Sequence, residues 1–136
     1  MTTGSLFGQP DAVLRTVLVC DDRQDLRDVI RLVLAGVPLI HIVGEAFDGA
    51  GCLEQVRDLL PDVMILDVSM PGGGPEVARS AKEIHPEMQI VVFSGRQDAR
   101  TKNAMMSAGA NEYVVKTGRL RPLLDALDRS FASSRS

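Results

Sequence analysis

The sequence predicts an α/β domain: a parallel sheet covered by helices on both faces. Five strand signals alternate with five helix signals through short connections, and the strand runs are largely unbroken apolar stretches, as expected of strands buried on both sides. Composition agrees. The 136 residues are 45% apolar but only 4% aromatic, so a one-domain core must be built from Val, Leu, Ile, Ala and Met. Right-handed crossovers between parallel strands bring every carboxyl end to one edge of the sheet, where such folds bind ligands.

Residues 1–15 are polar, contain Gly4, Gly8 and Pro10, and read as a loose leader. Val17, Leu18, Val19 and Cys20 form the first strand and run into Asp21 and Asp22. Leu26, Val29, Ile30, Val33 and Leu34 then recur on one face of a helix, which Gly36 and Pro38 end. Residues 40–46 read as strand two; Leu53, Val56 and Leu60 mark a second helix stopped by Pro61. Val63, Met64, Ile65 and Leu66 are the central strand, ending in Asp67. Glycines 72–74 and Pro75 break the chain before a third helix carrying Val77, Ala81 and Ile84. Residues 90–93 form strand four, ending in Ser94. Residues 98–108 form a weakly striped helix closed by Gly109. Tyr113, Val114 and Val115 make strand five, ending in Lys116. Leu120, Leu123, Leu124, Leu127 and Phe131 stripe the last helix, so the domain spans 16–133 and a tail 134–136.

A net charge of −3 lacks the basic footprint of a nucleic-acid-binding domain, so no direct nucleic-acid contact is expected. Cys20 and Cys52 have neither metal-site spacing nor the density of a secreted disulfide framework and read as core thiols. No basic leader with an apolar run and no membrane span is evident, which predicts a cytoplasmic chain without membrane contact.

Function concentrates at the strand ends. Asp21, Asp22, Asp67, Ser94 and Lys116 should converge there. Three carboxylates at close range repel by several kcal/mol unless a cation intervenes. With oxygen ligands and no His or thiolate in the set, the ion is hard: Mg²⁺ first, with Mn²⁺ or Ca²⁺ also fitting. A lysine adds a movable positive charge and a serine hydroxyl a donor, which makes a phosphoryl-sized pocket. A carboxylate there is a competent acceptor that forms an acyl phosphate.

In this order and spacing, the paired acids after strand one, Asp67 followed by Met70-Pro71-Gly72, Ser94-Gly95, and Tyr113 three before Lys116 resemble the receiver domains of two-component response regulators. The resemblance covers about residues 15–133. It implies a doubly wound, flavodoxin-like (βα)5 fold with strand order 2-1-3-4-5. It also implies a regulatory phosphoacceptor rather than an enzyme, with Asp67 accepting the phosphoryl group from a sensor histidine kinase. Asp22 and Asp67 would be direct Mg²⁺ ligands, Asp21 a ligand mainly through water, and Ser69 a ligand through its backbone carbonyl. Lys116 would pair with the phosphoryl group and Ser94 would turn toward it. Tyr113 would follow inward and reshape the face of helix four, strand five and helix five, through which an effector or a second copy is engaged. Ser69 and Arg96 occupy positions that tune acyl-phosphate lifetime in that family.

Some positions depart from the pattern or carry a second reading. Lys116 precedes Thr117 where many members have a cis proline, and a cis bond before Thr would cost several kcal/mol. The Gly72-Gly73-Gly74-Pro75 run replaces a Gly-x-x-Gly pattern and predicts a freer loop. Tyr113 fits a half-buried strand residue as well as a switch. Arg96, Arg100 and Lys102 read as a solvated helix face, Met105 and Met106 as gap-fillers, and His41 and His85 as solvent-side residues. Two alternatives are a phosphorylation-independent interaction module of the same shape and an aspartyl-phosphate phosphohydrolase. The second needs an acid two residues after the nucleophile, where this chain has Ser69.

Overall fold

A computed structural model describes residues 13–135. Its strands are β1 (Arg15–Cys20), β2 (Ile40–Ala46), β3 (Val63–Leu66), β4 (Gln89–Ser94) and β5 (Glu112–Val115), all parallel in the order β2-β1-β3-β4-β5. They alternate with α1 (Gln24–Ala35), α2 (Gly49–Leu59), α3 (Pro75–Ile84), α4 (Ala99–Ser107) and α5 (Arg121–Arg135). This is the flavodoxin-like arrangement that the alternation and the resemblance predicted.

Strand side chains alternate between two apolar layers because a pleated strand turns successive residues to opposite faces. Val17, Val19, Ile65, Val91 and Phe93 pack against Ile30 and Leu34 of α1 and Leu123, Ala126 and Leu127 of α5. Leu18, Cys20, Met64, Leu66, Ile90 and Val92 face Cys52 and Val56 of α2, Ala78 and Ala81 of α3, and Met105 of α4. β3, in the middle, is buried at every residue.

Register levels the functional edge. Cys20 pairs with both Ala46 and Leu66, Leu66 with Val92, and Ser94 with Val115. The residues that follow these partners therefore stand side by side.

Several element ends differ from the sequence reading. Arg15, read as leader, is the first residue of β1: it pairs with Ile40, and its N–H donates to Leu39 O (2.7 Å). The rest of the leader, 1–12, lies outside the described residues. Asp98, read as helical, is the N-cap of α4, its carboxylate accepting from Thr101 N–H (3.0 Å). α5 continues into the tail, to Arg135. Upstream in that helix Ser130 returns its hydroxyl to Ala126 O (2.9 Å), a bond that lets a serine sit inside a helix. Leu60 caps α2 in the left-handed region (φ 44°), a conformation that costs a leucine about 1 kcal/mol. Met105 is buried as a gap-filler, but Met106 faces outward and is 39% exposed. His41 is exposed, whereas His85 is half-buried as the C-cap of α3. No described peptide bond is cis, so the chain leaves Lys116 through a trans bond.

Candidate functional site

Three carboxylates meet at the edge formed by β1 and β3. Asp21 and Asp22 follow β1, Asp67 follows β3, and one oxygen from each lies within 4.8 Å of the others. Asp21 and Asp67 are 2% and 3% exposed, while Asp22 opens to solvent. The backbone fixes the two buried acids: Asp21 N–H donates to Ala46 O (3.0 Å) and Asp67 N–H to Cys20 O (2.9 Å), extending the ladder one residue past each strand.

Each acid then engages a neighbouring amide and the lysine. Asp67 Oδ1 accepts from Ser69 N–H (3.0 Å), and Asp21 Oδ1 from Arg23 N–H (2.9 Å). Lys116 Nζ sits 2.8 Å from Asp21 Oδ2 and 3.5 Å from Asp67 Oδ2. The ammonium also lies over the Phe93 ring, 5.7 Å from its centroid. Burial raises the Asp67 carboxyl above its usual pKa; the Ser69 amide and Lys116 pull the other way, and Asp21 and Asp22 add to the rise. The donor set suits a hard divalent cation: oxygen ligands only, with one lysine for three acids.

Ser94, fully buried at the end of β4, accepts from Arg96 N–H through Oγ (3.2 Å). Lys116 N–H donates to Ser94 O (2.8 Å), which ties β4 and β5 together at this edge. Tyr113 is half-buried, and its hydroxyl donates to Arg96 O (2.8 Å); burial raises its phenol pKa. Arg96 points outward and pairs with Asp98 (3.2 Å). The structure thus gathers Asp21, Asp22, Asp67, Lys116 and Ser94, with Ser69 beside Asp67. It leaves Tyr113 and the Arg96 side chain at the margin.

The glycine run is held rather than free. A Cβ on Gly73 would overlap Asp67 O, and one on Gly49 would overlap Gly72 O, so only glycines allow these backbones to meet. Gly73 N–H donates to Met70 O (2.9 Å) and Gly49 N–H to Pro71 O (2.8 Å). The expectation of a freer loop is therefore corrected: lacking side chains, the loop packs against Asp67 and the start of α2.

Sequence reasoning missed Arg27. Its guanidinium donates to Asp21 O (2.6 Å) and to Glu45 Oε1 (2.8 Å), and Arg31 also pairs with Glu45. Burial pushes the Glu45 carboxyl up, but the two arginines outweigh it and hold it below its usual range. The signal available was the spacing of Arg27 and Arg31, i and i+4 on α1, facing an acid on β2.

Residues 17–128 match the family model of the response regulator receiver domain. The response regulator GacA of Pseudomonas aeruginosa is 36% identical over 120 residues, covering 88% of this chain and 56% of that protein. The nitrate/nitrite response regulator NarL of Escherichia coli K12 is 33% identical over 118 residues, 86% of this chain and 55% of that protein. The chain thus spans about half the length of these curated relatives. A LuxR-family two-component response regulator from Aurantimonas superposes with a TM-score of 0.82 at 26% identity, covering 88% of this chain and 86% of that one. A CheY-like receiver from Methanospirillum hungatei gives 0.82 at 20% identity over 90% of this chain and 97% of that one, a likeness of fold.

Proposed function

The chain belongs to the response regulator receiver domain family of two-component systems, and on that premise we propose that it is a phosphorylation switch whose acceptor is Asp67. The switching unit is the expected span 16–133 together with Arg15, which opens β1, and the end of α5 at Arg135. The observation that carries the reading is the half-buried Asp21–Lys116 pair beside Asp67, within a three-acid cluster open to solvent through Asp22.

Asp22 and Asp67 would hold Mg²⁺ directly, Asp21 mainly through water and Ser69 through its carbonyl, and Mn²⁺ suits the same donors. When bound, the ion supplies positive charge for the phosphoryl oxygens. The chain's own residues do the rest. Asp67 presents its free oxygen to the phosphorus of a phosphohistidine donor on a sensor histidine kinase, and the histidine leaves as the acyl phosphate forms. Lys116, already 3.5 Å from Asp67, shifts from Asp21 toward the new negative charge. Ser94 releases Arg96 N–H and donates its hydroxyl to a phosphoryl oxygen. Tyr113 then gives up Arg96 O and moves inward, altering the surface of α4, β5 and α5 that an effector or a second copy would read. Arg96 and Ser69, flanking the pocket, set how easily water reaches the acyl phosphate.

Intact-protein mass spectrometry after exposure to acetyl phosphate tests this. A Mg²⁺-dependent gain of one phosphoryl group, lost in Asp67→Asn, is expected. No gain in a folded chain overturns the reading and leaves a phosphorylation-independent interaction module.

A further inference from the structure

Cys20 and Cys52, far apart in the sequence, place their sulfurs 3.2 Å from one another in the core, and both are fully buried. Neither is in a disulfide, and they are the chain's two cysteines. Cys52 also touches Met64 Sδ at 3.1 Å, so its sulfur contacts sulfurs from both β1 and β3. A disulfide needs its sulfurs at about 2 Å. The thiols are a little over an ångström from bonding distance, with no other group between them.

We propose that Cys20 and Cys52 are an oxidisable pair, which a peroxide joins into an intramolecular disulfide that slows phosphoryl acceptance at Asp67. The second half of this proposal rests on the phosphoacceptor reading above; the first half does not.

The chemistry balances with hydrogen peroxide as the oxidant. Cys52, whose sulfur accepts the S–H of Cys20, loses its proton and attacks one peroxide oxygen. The O–O bond breaks, leaving a sulfenic acid and a hydroxide that takes up the proton as water. The Cys20 sulfur then attacks the sulfenic sulfur, and a second water leaves. Two thiols have lost two electrons and two protons.

Access comes from the first turn of α2. Cys52 follows Gly49-Ala50-Gly51, and the two glycines are poor helix formers that weaken this turn against local opening. Its hold on Asp48 consists of Gly51 N–H to the Asp48 carboxylate (2.7 Å) and Cys52 N–H to Asp48 O (2.9 Å). A solvent groove lined by Phe47, Asp48, Ala50 and Gly51 runs along its outer side.

The bridge reaches the pocket through backbone. Cys20 is fixed on both sides by the sheet and accepts the N–H of Asp67, so α2 must move rather than β1. Moving α2 inward drives Gly49 against Gly72, where not even a Cβ fits, and presses the loop that starts at Asp67. A displacement of about 1 Å at a reacting group costs up to about 100-fold in rate.

The test exposes the purified chain to hydrogen peroxide, unfolds it, alkylates free thiols and weighs it, alongside Cys20→Ala and Cys52→Ala. Circular dichroism confirms that each variant folds. The proposal expects no alkylation of the oxidised native chain, alkylation of both thiols after reductant, and no bridge in either variant. Phosphorylation by acetyl phosphate should fall about 10- to 100-fold on oxidation and recover with reductant. Two alkylated thiols after peroxide, or oxygen added to Met64 in place of a bridge, overturn the pair; a bridge with an unchanged rate overturns its effect. Should the reduced chain itself take no phosphoryl group, the phosphoacceptor reading fails, and the thiol count still decides the pair.

Discussion

Asp67→Asn should make the metal-free protein more stable at pH 7. Its nearest charges almost cancel. Asp21 and Asp67 bring carboxylate oxygens within 4.8 Å, so their repulsion is at least about 3.5 kcal/mol at an effective dielectric of about 20, and attraction to Lys116 at 3.5 Å is about 4.7 kcal/mol. The exposed Asp22 adds about 1 kcal/mol of repulsion at a water-like dielectric. What remains is the desolvation of a carboxylate that is 3% exposed, the largest cause of its raised pKa. Asparagine keeps an oxygen for Ser69 N–H, and Lys116 keeps its shorter partner, so the gain is about 1–2 kcal/mol, or roughly 3–8 °C in Tm.

The sign with pH follows from the same shift. A carboxyl whose native pKa lies above its unfolded one holds its proton more tightly when folded. It therefore penalises the fold above the native value, and the penalty disappears below the usual 3.8. The advantage of the variant should shrink as pH falls toward 3.8. Mg²⁺ at ten times its Kd should return about 1.4 kcal/mol to the native chain and less to the variant. Urea unfolding followed by circular dichroism, with EDTA or with Mg²⁺, measures all three differences. A variant less stable than the native chain in EDTA at pH 7, or an equal Mg²⁺ gain in both, would refute the reasoning.

Lys116→Met strips the buried Asp21 of its cation and should cost about 2–3 kcal/mol in urea unfolding, with phosphorylation also impaired. Gly49→Ala forces a methyl onto Gly72 O and should destabilise by about 2 kcal/mol or more, read by thermal melts. Asp98, bonded by Thr101 and Arg96, should titrate at about 2 by NMR instead of 3.8. Because its native pKa is depressed, the stability it contributes is present above 3.8 and lost as pH falls through about 2.

The sheet was legible because its strands are short and largely apolar and four of the five run into a polar residue. Val63 to Leu66 has no competing reading once Pro61 and Asp67 bracket it. The ends of elements were harder, for reasons local to each. Arg15 joins β1 through a backbone bond to Leu39 that no side-chain pattern announces. Asp98 suits a cap and a first helical turn equally until its carboxylate is seen on Thr101 N–H. Residues 134–136 carry no apolar stripe and read as a tail, yet α5 runs on to Arg135.

The site divides in the same way, between what strand ends announce and what packing decides. Asp21, Asp22, Asp67, Ser94 and Lys116 lie at predictable edges, so their convergence follows from topology alone. Which acid Lys116 prefers does not, because it depends on a difference between 2.8 and 3.5 Å. That difference has a mechanistic consequence. Since the lysine rests on Asp21, Asp67 is left with a weaker counter-charge and an oxygen not committed to a tight ion pair, while burial raises its carboxyl pKa. A phosphoacceptor needs that free oxygen, and the charge it gains on phosphorylation is what would draw Lys116 across. Gly73 and Gly49 matter for a related reason. By allowing backbone to touch backbone, they set the loop after Asp67 directly against the start of α2, with no side chain between the two.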